Sequence, residues 1–158
     1  MPALKRIVCF FMLALGLGAA AWAQSAAPAA AGADGREGTF KAVQGDVTVV
    51  RGNVHRAAVV SGPVYATDRL VTGPGSAASL ILRDGTVLSV GPDSVMNLSA
   101  FAYNATTQEG NVLVDLLRGS LRMATGLIAK LRPEQVKVTT PTTVVGVRGT
   151  DFIVEENP

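Results

Sequence analysis

Short runs of alternating apolar residues, each closed by a glycine, a proline or an Asp-Gly pair, recur from Thr39 to Val154, and this rhythm constrains the fold more than any other feature. The last stretch shows it plainly. Val136 and Val138 alternate with Lys137 and Thr139, as in a strand with one wet face. Pro141, Gly146 and Gly149 then divide the chain into pieces rich in Val, Thr, Ile and Phe, which suit a pleated, half-buried surface. Pro141 lacks an N–H and belongs at a strand end or bend, while Gly149 marks a bulge or tight corner. With 17 glycines and few aromatics, the chain is predicted to be all-β. Strands this short and this often interrupted suit a compact β-roll or solenoid-like sandwich better than a long-strand barrel. No exact repeat period appears.

The first 23 residues stand apart from this pattern. Lys5 and Arg6 precede an uncharged apolar run from Ile7 to Ala21, and Ala21-Trp22-Ala23 is a small-x-small cleavage site. These are the three parts of a secretory signal peptide, which predicts cleavage between Ala23 and Gln24 and a periplasmic or secreted product with no stable membrane span. Residues 24–38, rich in Ala, Pro and Gly, read as a flexible leader, and residues 39–155 as the all-β domain. Cleavage removes the single cysteine, Cys9, so disulfide and thiol chemistry leave with it. It also removes two of the 14 basic residues, and the remainder balance the 12 acidic ones. A neutral mature chain gives no electrostatic case for nucleic acid and predicts only weakly salt-dependent binding.

Along the domain, Phe40 and Ala42 are expected to face inward, with Val43 a further candidate, Val47 and Val49 to alternate with Thr48 and Val50, and Val54 to Val60 to form a third strand. The clearest hairpin follows. Ala78, Leu80 and Leu82 alternate with Ser79, Ile81 and Arg83, and Val87 and Ser89 alternate with Leu88 and Val90. Between them, Asp84-Gly85 is the preferred pair for a two-residue type I′ turn, with φ positive at both positions. Ser99 to Asn111 reads as a surface loop or wide hairpin, and Val112 to Met123 as two apolar segments around Arg118-Gly119-Ser120. In Thr125 to Gln135, Leu127, Ile128 and Leu131 sit at near-helical spacing until Pro133 stops the run, an excursion before the final strands.

The residues needed for chemistry are scarce. His55 is the only histidine, and no thiol survives cleavage, so a nucleophile–base pair has one base and no identified partner. Zinc and iron sites need clustered His, Cys or carboxylate ligands that one histidine cannot supply. Asp84 and Asp93 read as solvated turn aspartates, without the alternating oxygen spacing of a calcium loop. Asp84, Asp93, Asp115 and Asp151 are carboxylates without evident pairing across a cleft. No cofactor, no metal and no catalytic residue is assigned.

The closing Thr140-Pro141…Val147-Arg148-Gly149-Thr150…Phe152…Val154 resembles the periplasmic domain of the FecR family. Asp68-Arg-Leu70-Val-Thr72-Gly73, Leu80-Ile-Leu82-Arg-Asp84-Gly85-Thr and Leu113…Leu117-Arg-Gly119-Ser-Leu121 resemble that domain's preceding blocks in order, so the resemblance spans about Thr39 to Val154. It implies a non-enzymatic binding or signal-sensing module. Only six residues precede the apolar run, so the cytoplasmic sigma-factor-binding segment and membrane helix of the family's iron regulators are not expected, and iron specificity does not carry over. Arg148, Gly149, Thr150, Pro141, Asp84 and Gly85 are the motif residues, with structural roles expected; for Arg148 this means a guanidinium tying the last strands to a carboxylate or to carbonyls, with a partner or ligand contact as the alternative. The expected partner is an envelope protein, with an envelope-structural module contacting cell-wall glycan as the alternative.

Overall fold

The computed structural model describes residues 35–147 and 151–157. They form an all-β fold in which twelve strands curl into a half-barrel around one core. Strands β1 (Gly38–Gln44), β2 (Val47–Arg51), β3 (Val54–Ala57), β4 (Pro63–Val64), β5 (Arg69–Thr72), β6 (Ala77–Leu82) and β7 (Val87–Val90) are short. Strands β8 (Val95–Asn104) and β9 (Glu109–Ala124) are long and form a wide hairpin. Helix α1 (Leu127–Leu131) and a 3-10 turn (Pro133–Gln135) lead to β10 (Val136–Thr139), β11 (Val144–Gly146) and β12 (Asp151–Glu156).

Strand β9 organises the fold. Its first part pairs with β8 and, in parallel, with β10, in the half-sheet β3-β2-β5-β8-β9-β10-β11. Its last part, Gly119–Ala124, lies between β7 and β12 in the half-sheet β4-β1-β6-β7-β9-β12. The two apolar segments expected at Val112 to Met123 are therefore one strand that changes sheet. The change is written in its burial. Val112, Val114 and Leu116 face the core, then Leu121 and Met123, so the alternation slips by one between 116 and 121. A register shift in the β8 pairing, between Val95 and Met96, absorbs the extra residue, and Gly119 turns the strand at φ +90°. A bulge of this kind bends a strand and lets one strand serve two packed layers.

The parallel pairing of β9 with β10 explains the helical excursion. After Ala124 the chain must travel back along β9 before it can run beside it in the same direction, and parallel neighbours need such a crossover. Helix α1 makes the return, with Ile128 and Ala129 buried and Leu127 and Leu131 exposed.

Two expectations near the start of the domain give way. Phe40 is buried, but a register shift between Phe40 and Ala42 turns Ala42 outward and leaves Val43 against the core. The third strand ends at Ala57, because Val59 to Gly62 close a turn in which Gly62 N–H donates to the Val59 carbonyl at 2.9 Å and Ser61 has φ +63°.

Candidate interaction edge

Asp68, Thr72, Asp84 and Thr86, which fall in the sequence blocks, are buried polar residues held by hydrogen bonds at corners of the half-barrel. Asp68 is 4% exposed, and its carboxylate takes both arms of the Arg51 guanidinium at 2.6 and 3.0 Å, the Tyr65 N–H at 3.0 Å and Arg56 at 3.4 Å. The Arg51 guanidinium lies 3.7 Å from the Tyr65 ring centre, a cation–π contact. The hydrogen bonds and charge of Asp68 raise the Arg51 pKa above its already high ordinary value. A buried carboxylate requires partners of this kind. Arg51 and Arg56 lie upstream of the motif that they satisfy.

Two further motif blocks meet at Ser94. The Thr72 hydroxyl donates to the Gly91 carbonyl at 2.6 Å and accepts the Ser94 N–H at 2.9 Å. The Ser94 hydroxyl donates to the Pro92 carbonyl and accepts the Ser120 N–H, both at 3.0 Å. Ser94 is thus the joint between the Thr72-Gly73 corner and the sheet-switching corner at Gly119, and no sequence pattern marked it.

Asp84 and Gly85 do form a hairpin corner, with a different geometry from the one expected. Gly85 has φ +86°, but Asp84 is not left-handed. Gly85 N–H donates to the Leu82 carbonyl, and Leu82 and Thr86 flank a three-residue loop. The cause is the Asp84 side chain. It folds over the turn to accept the Thr86 N–H at 3.0 Å and the Thr86 hydroxyl at 2.7 Å, as turn aspartates do two residues ahead. Asp84 is also only 2% exposed, not a solvated turn residue. The return from β9 covers it: Leu127 N–H donates to its carbonyl at 2.9 Å and Gly126 N–H to the Thr86 hydroxyl at 3.0 Å. Gly126 is required there, since a Cβ would lie 2.4 Å from the Asp84 carbonyl oxygen.

Pro141 sits in the tight turn between β10 and β11, closed by Thr140 N–H donating to the Thr143 carbonyl at 2.8 Å. Arg148, Gly149 and Thr150 lie outside the described residues, as do the cleavage residues Ala23 and Gln24. His55 is exposed on β3, an edge strand.

Beyond these corners, the surface of the described residues has three other features. On the outer side of the β9–β10 half-sheet, Arg69, Asn97, Asp115 and Thr139 fall in one cross-strand row. Arg69 donates to Asn97 at 2.8 Å, and the Asp115 carboxylate accepts from the Ser99 and Thr139 hydroxyls. An open cleft of about 380 Å³ beside this row is lined by Val50, Gly52, Thr67, Arg69, Asn97 and Ser99. A second, of about 350 Å³, lies along Val136, Lys137, Gly146 and Val147.

The third feature is the edge at β12. Among the described residues β12 pairs only with β9, which leaves its other edge open. Asp151, Ile153 and Glu155 project to the wet face, and Ile153 is 65% exposed. Phe152 and Val154 face the core but are only partly covered. On β11, Val144 is 68% exposed. Arg122 of β9 reaches across to Asp151 with both arms, and Thr142 donates to Glu156 at 3.1 Å. Hydrogen bonding to Arg122 holds the Asp151 carboxyl below its ordinary 3.8 and raises Arg122 above its own ordinary value. An open strand edge with a large apolar residue on it is a template for adding another strand.

The family model described as FecR protein matches residues 68–158, more than half of the 158-residue chain. The matched span starts at Asp68, later than the Thr39 suggested by the motif resemblance, and omits β1–β4, although Arg51 of β2 and Arg56 of β3 hold Asp68. No curated protein and no solved structure matches the chain.

Proposed function

The chain belongs to the FecR family, and from that premise we propose that it is a non-enzymatic, periplasmic signal-sensing module that contacts an envelope protein through the open edge of β12. Membership supports a regulatory, signal-sensing role, and FecR domains are periplasmic in the family. The three-part leader at residues 1–23 supports export of this chain in particular. Among the described residues no helix is long and apolar enough to cross a membrane.

The observation that carries the reading is the β12 edge. The motif aspartates Asp68 and Asp84 are consumed by internal hydrogen bonds, so they support corners rather than chemistry. β12, by contrast, holds Ile153 in solvent on a strand that, among the described residues, pairs on one side only. Main-chain pairing would supply affinity there and alternate side chains specificity.

A photo-crosslinking amino acid at position 153, with a second at exposed His55 as control, tests the proposal in the native envelope. The expected result is one protein adduct from position 153 that the position-55 probe does not give. No protein adduct, together with co-sedimentation of the mature chain with peptidoglycan, would replace this reading with the glycan-contacting one. Intact mass of the exported chain tests the leader: cleavage after Ala23 gives a species lacking Cys9.

A further inference from the structure

We infer that the β12 edge is built to accept an extended segment in which a short apolar run is flanked by Lys or Arg, and to refuse a second copy of itself. The inference rests on the edge-docking reading above and names the chemistry of the partner.

The order along β12 is Asp151, Phe152, Ile153, Val154, Glu155, Glu156. Three apolar residues stand between acidic ends. A strand laid beside β12 would set its residues opposite these six. On the core side, apolar side chains opposite Phe152 and Val154 would complete the partly covered margin of the core. On the wet side, an apolar residue would meet Ile153 and a cation would meet Glu155. Directly opposed cross-strand pairs attract when opposite in charge and repel when alike.

The acidic ends are unequally engaged. Asp151 is held by Arg122, and one oxygen of Glu156 accepts from Thr142. Glu155 has no partner among the described residues. The end of the strand therefore offers the strongest unsatisfied negative charge, and the locally acidic edge should make binding salt-dependent although the mature chain as a whole is neutral.

Pairing with a second copy fails on the same arithmetic. In an antiparallel pair centred on Ile153, Asp151 meets Glu155. Centred between Ile153 and Val154, Asp151 meets Glu156. The register that opposes the three apolar residues most fully, centred on Ile153, sets acid against acid, which is how a natural edge discourages self-association.

The test uses the mature chain and two fluorescent hexapeptides, Lys-Lys-Val-Ile-Val-Lys and Glu-Glu-Val-Ile-Val-Glu, with anisotropy as readout. The basic peptide should bind the wild type more tightly than the acidic one and weaken as salt rises. The double variant Glu155→Lys, Glu156→Lys should lose at least about fivefold for the basic peptide and gain for the acidic one, because each opposed pair changes from attractive to repulsive. Amide exchange should slow at β12 on binding, and the free wild-type chain should sediment as a monomer. Equal binding of both peptides, indifference to the double variant, binding that leaves β12 exchange unchanged, or dimerisation through β12 would each overturn the inference. An adduct from position 153 with a partner whose contacting segment is acidic would overturn the charge assignment and leave the edge-docking reading standing. Unchanged circular dichroism of the variant separates loss of binding from loss of fold.

Discussion

Gly119 lies directly against Ser94: a Cβ at position 119 would come 2.1 Å from the Ser94 hydroxyl oxygen and 2.6 Å from its Cα. The glycine is required twice, by its φ of +90° and by this approach, at the point where β9 leaves one half-sheet for the other.

Gly119→Ala should therefore cost more than a left-handed backbone alone, which is on the order of 1–3 kcal/mol for a non-glycine residue. It also breaks the Ser94 joint between Thr72 and Ser120. Gly146→Ala is the control. A Cβ there meets nothing within 4 Å, and its φ is ordinary. Urea midpoints should fall sharply for the first and hardly move for the second; equal shifts would mean that the corner is not under the constraint described.

The Asp84 corner separates two kinds of glycine. Gly85 has φ +86° with open space around it, so Gly85→Asn, which tolerates the left-handed region, should be milder than Gly85→Val. Valine there should cost on the order of 1–3 kcal/mol. Gly126 has no such φ, but its Cβ would strike the Asp84 carbonyl and the Thr86 N–H. Gly126→Ala should destabilise by displacing α1 from the hairpin, and Asn should be worse, not better. Denaturation midpoints of the four variants check the ordering.

Much of the fold was legible because strand alternation is local. Leu80, Leu82, Leu88, Val90, Val136 and Val138 all face the core as their spacing implies. What the sequence hid were relations between distant residues. Nothing near Asp84 announces that Gly126 will cover it 42 positions later, so a turn aspartate looked solvated. Nothing in Ser120 names Ser94. The single-strand nature of β9 was obscured by Arg118-Gly119-Ser120, which resembles a break but is a bulge carrying the strand into a second sheet. The edge at β12 was visible only as acidic residues after Val154; its openness is a property of pairing, which spacing does not encode.

Asp68→Asn should destabilise although it preserves shape. The carboxylate is buried and accepts from Arg51, Arg56 and Tyr65. Hydrogen bonds to a charged group contribute about 1.5–3 kcal/mol, and the amide would turn an N–H toward at least one donor. Arg51→Leu should cost less, since Arg51 is 40% exposed and Arg56 remains beside the carboxylate. A larger loss for Arg51→Leu than for Asp68→Asn would show that Arg51 matters chiefly through its contact with Tyr65.

The Arg122–Asp151 pair predicts how the candidate edge responds to acid. The Asp151 carboxyl is held below its ordinary 3.8 by hydrogen bonding to Arg122, so the ionised form is favoured in the folded state. A depressed carboxylate pKa contributes stability that is fully present above the unfolded value and is lost as pH falls through the folded one. The loss should therefore begin near pH 3.8 and finish below it, with no change through neutral pH. Both groups are solvent-exposed, so the global effect is small and salt-sensitive, and the local effect is the one to measure. Amide exchange along β12 should rise as pH falls through this window, after correction for the intrinsic pH dependence of exchange. Asp151→Asn should show that looser β12 already at neutral pH, with no further acid-induced change from this pair. Identical β12 protection in wild type and variant across the window would mean that Arg122 does not hold the strand.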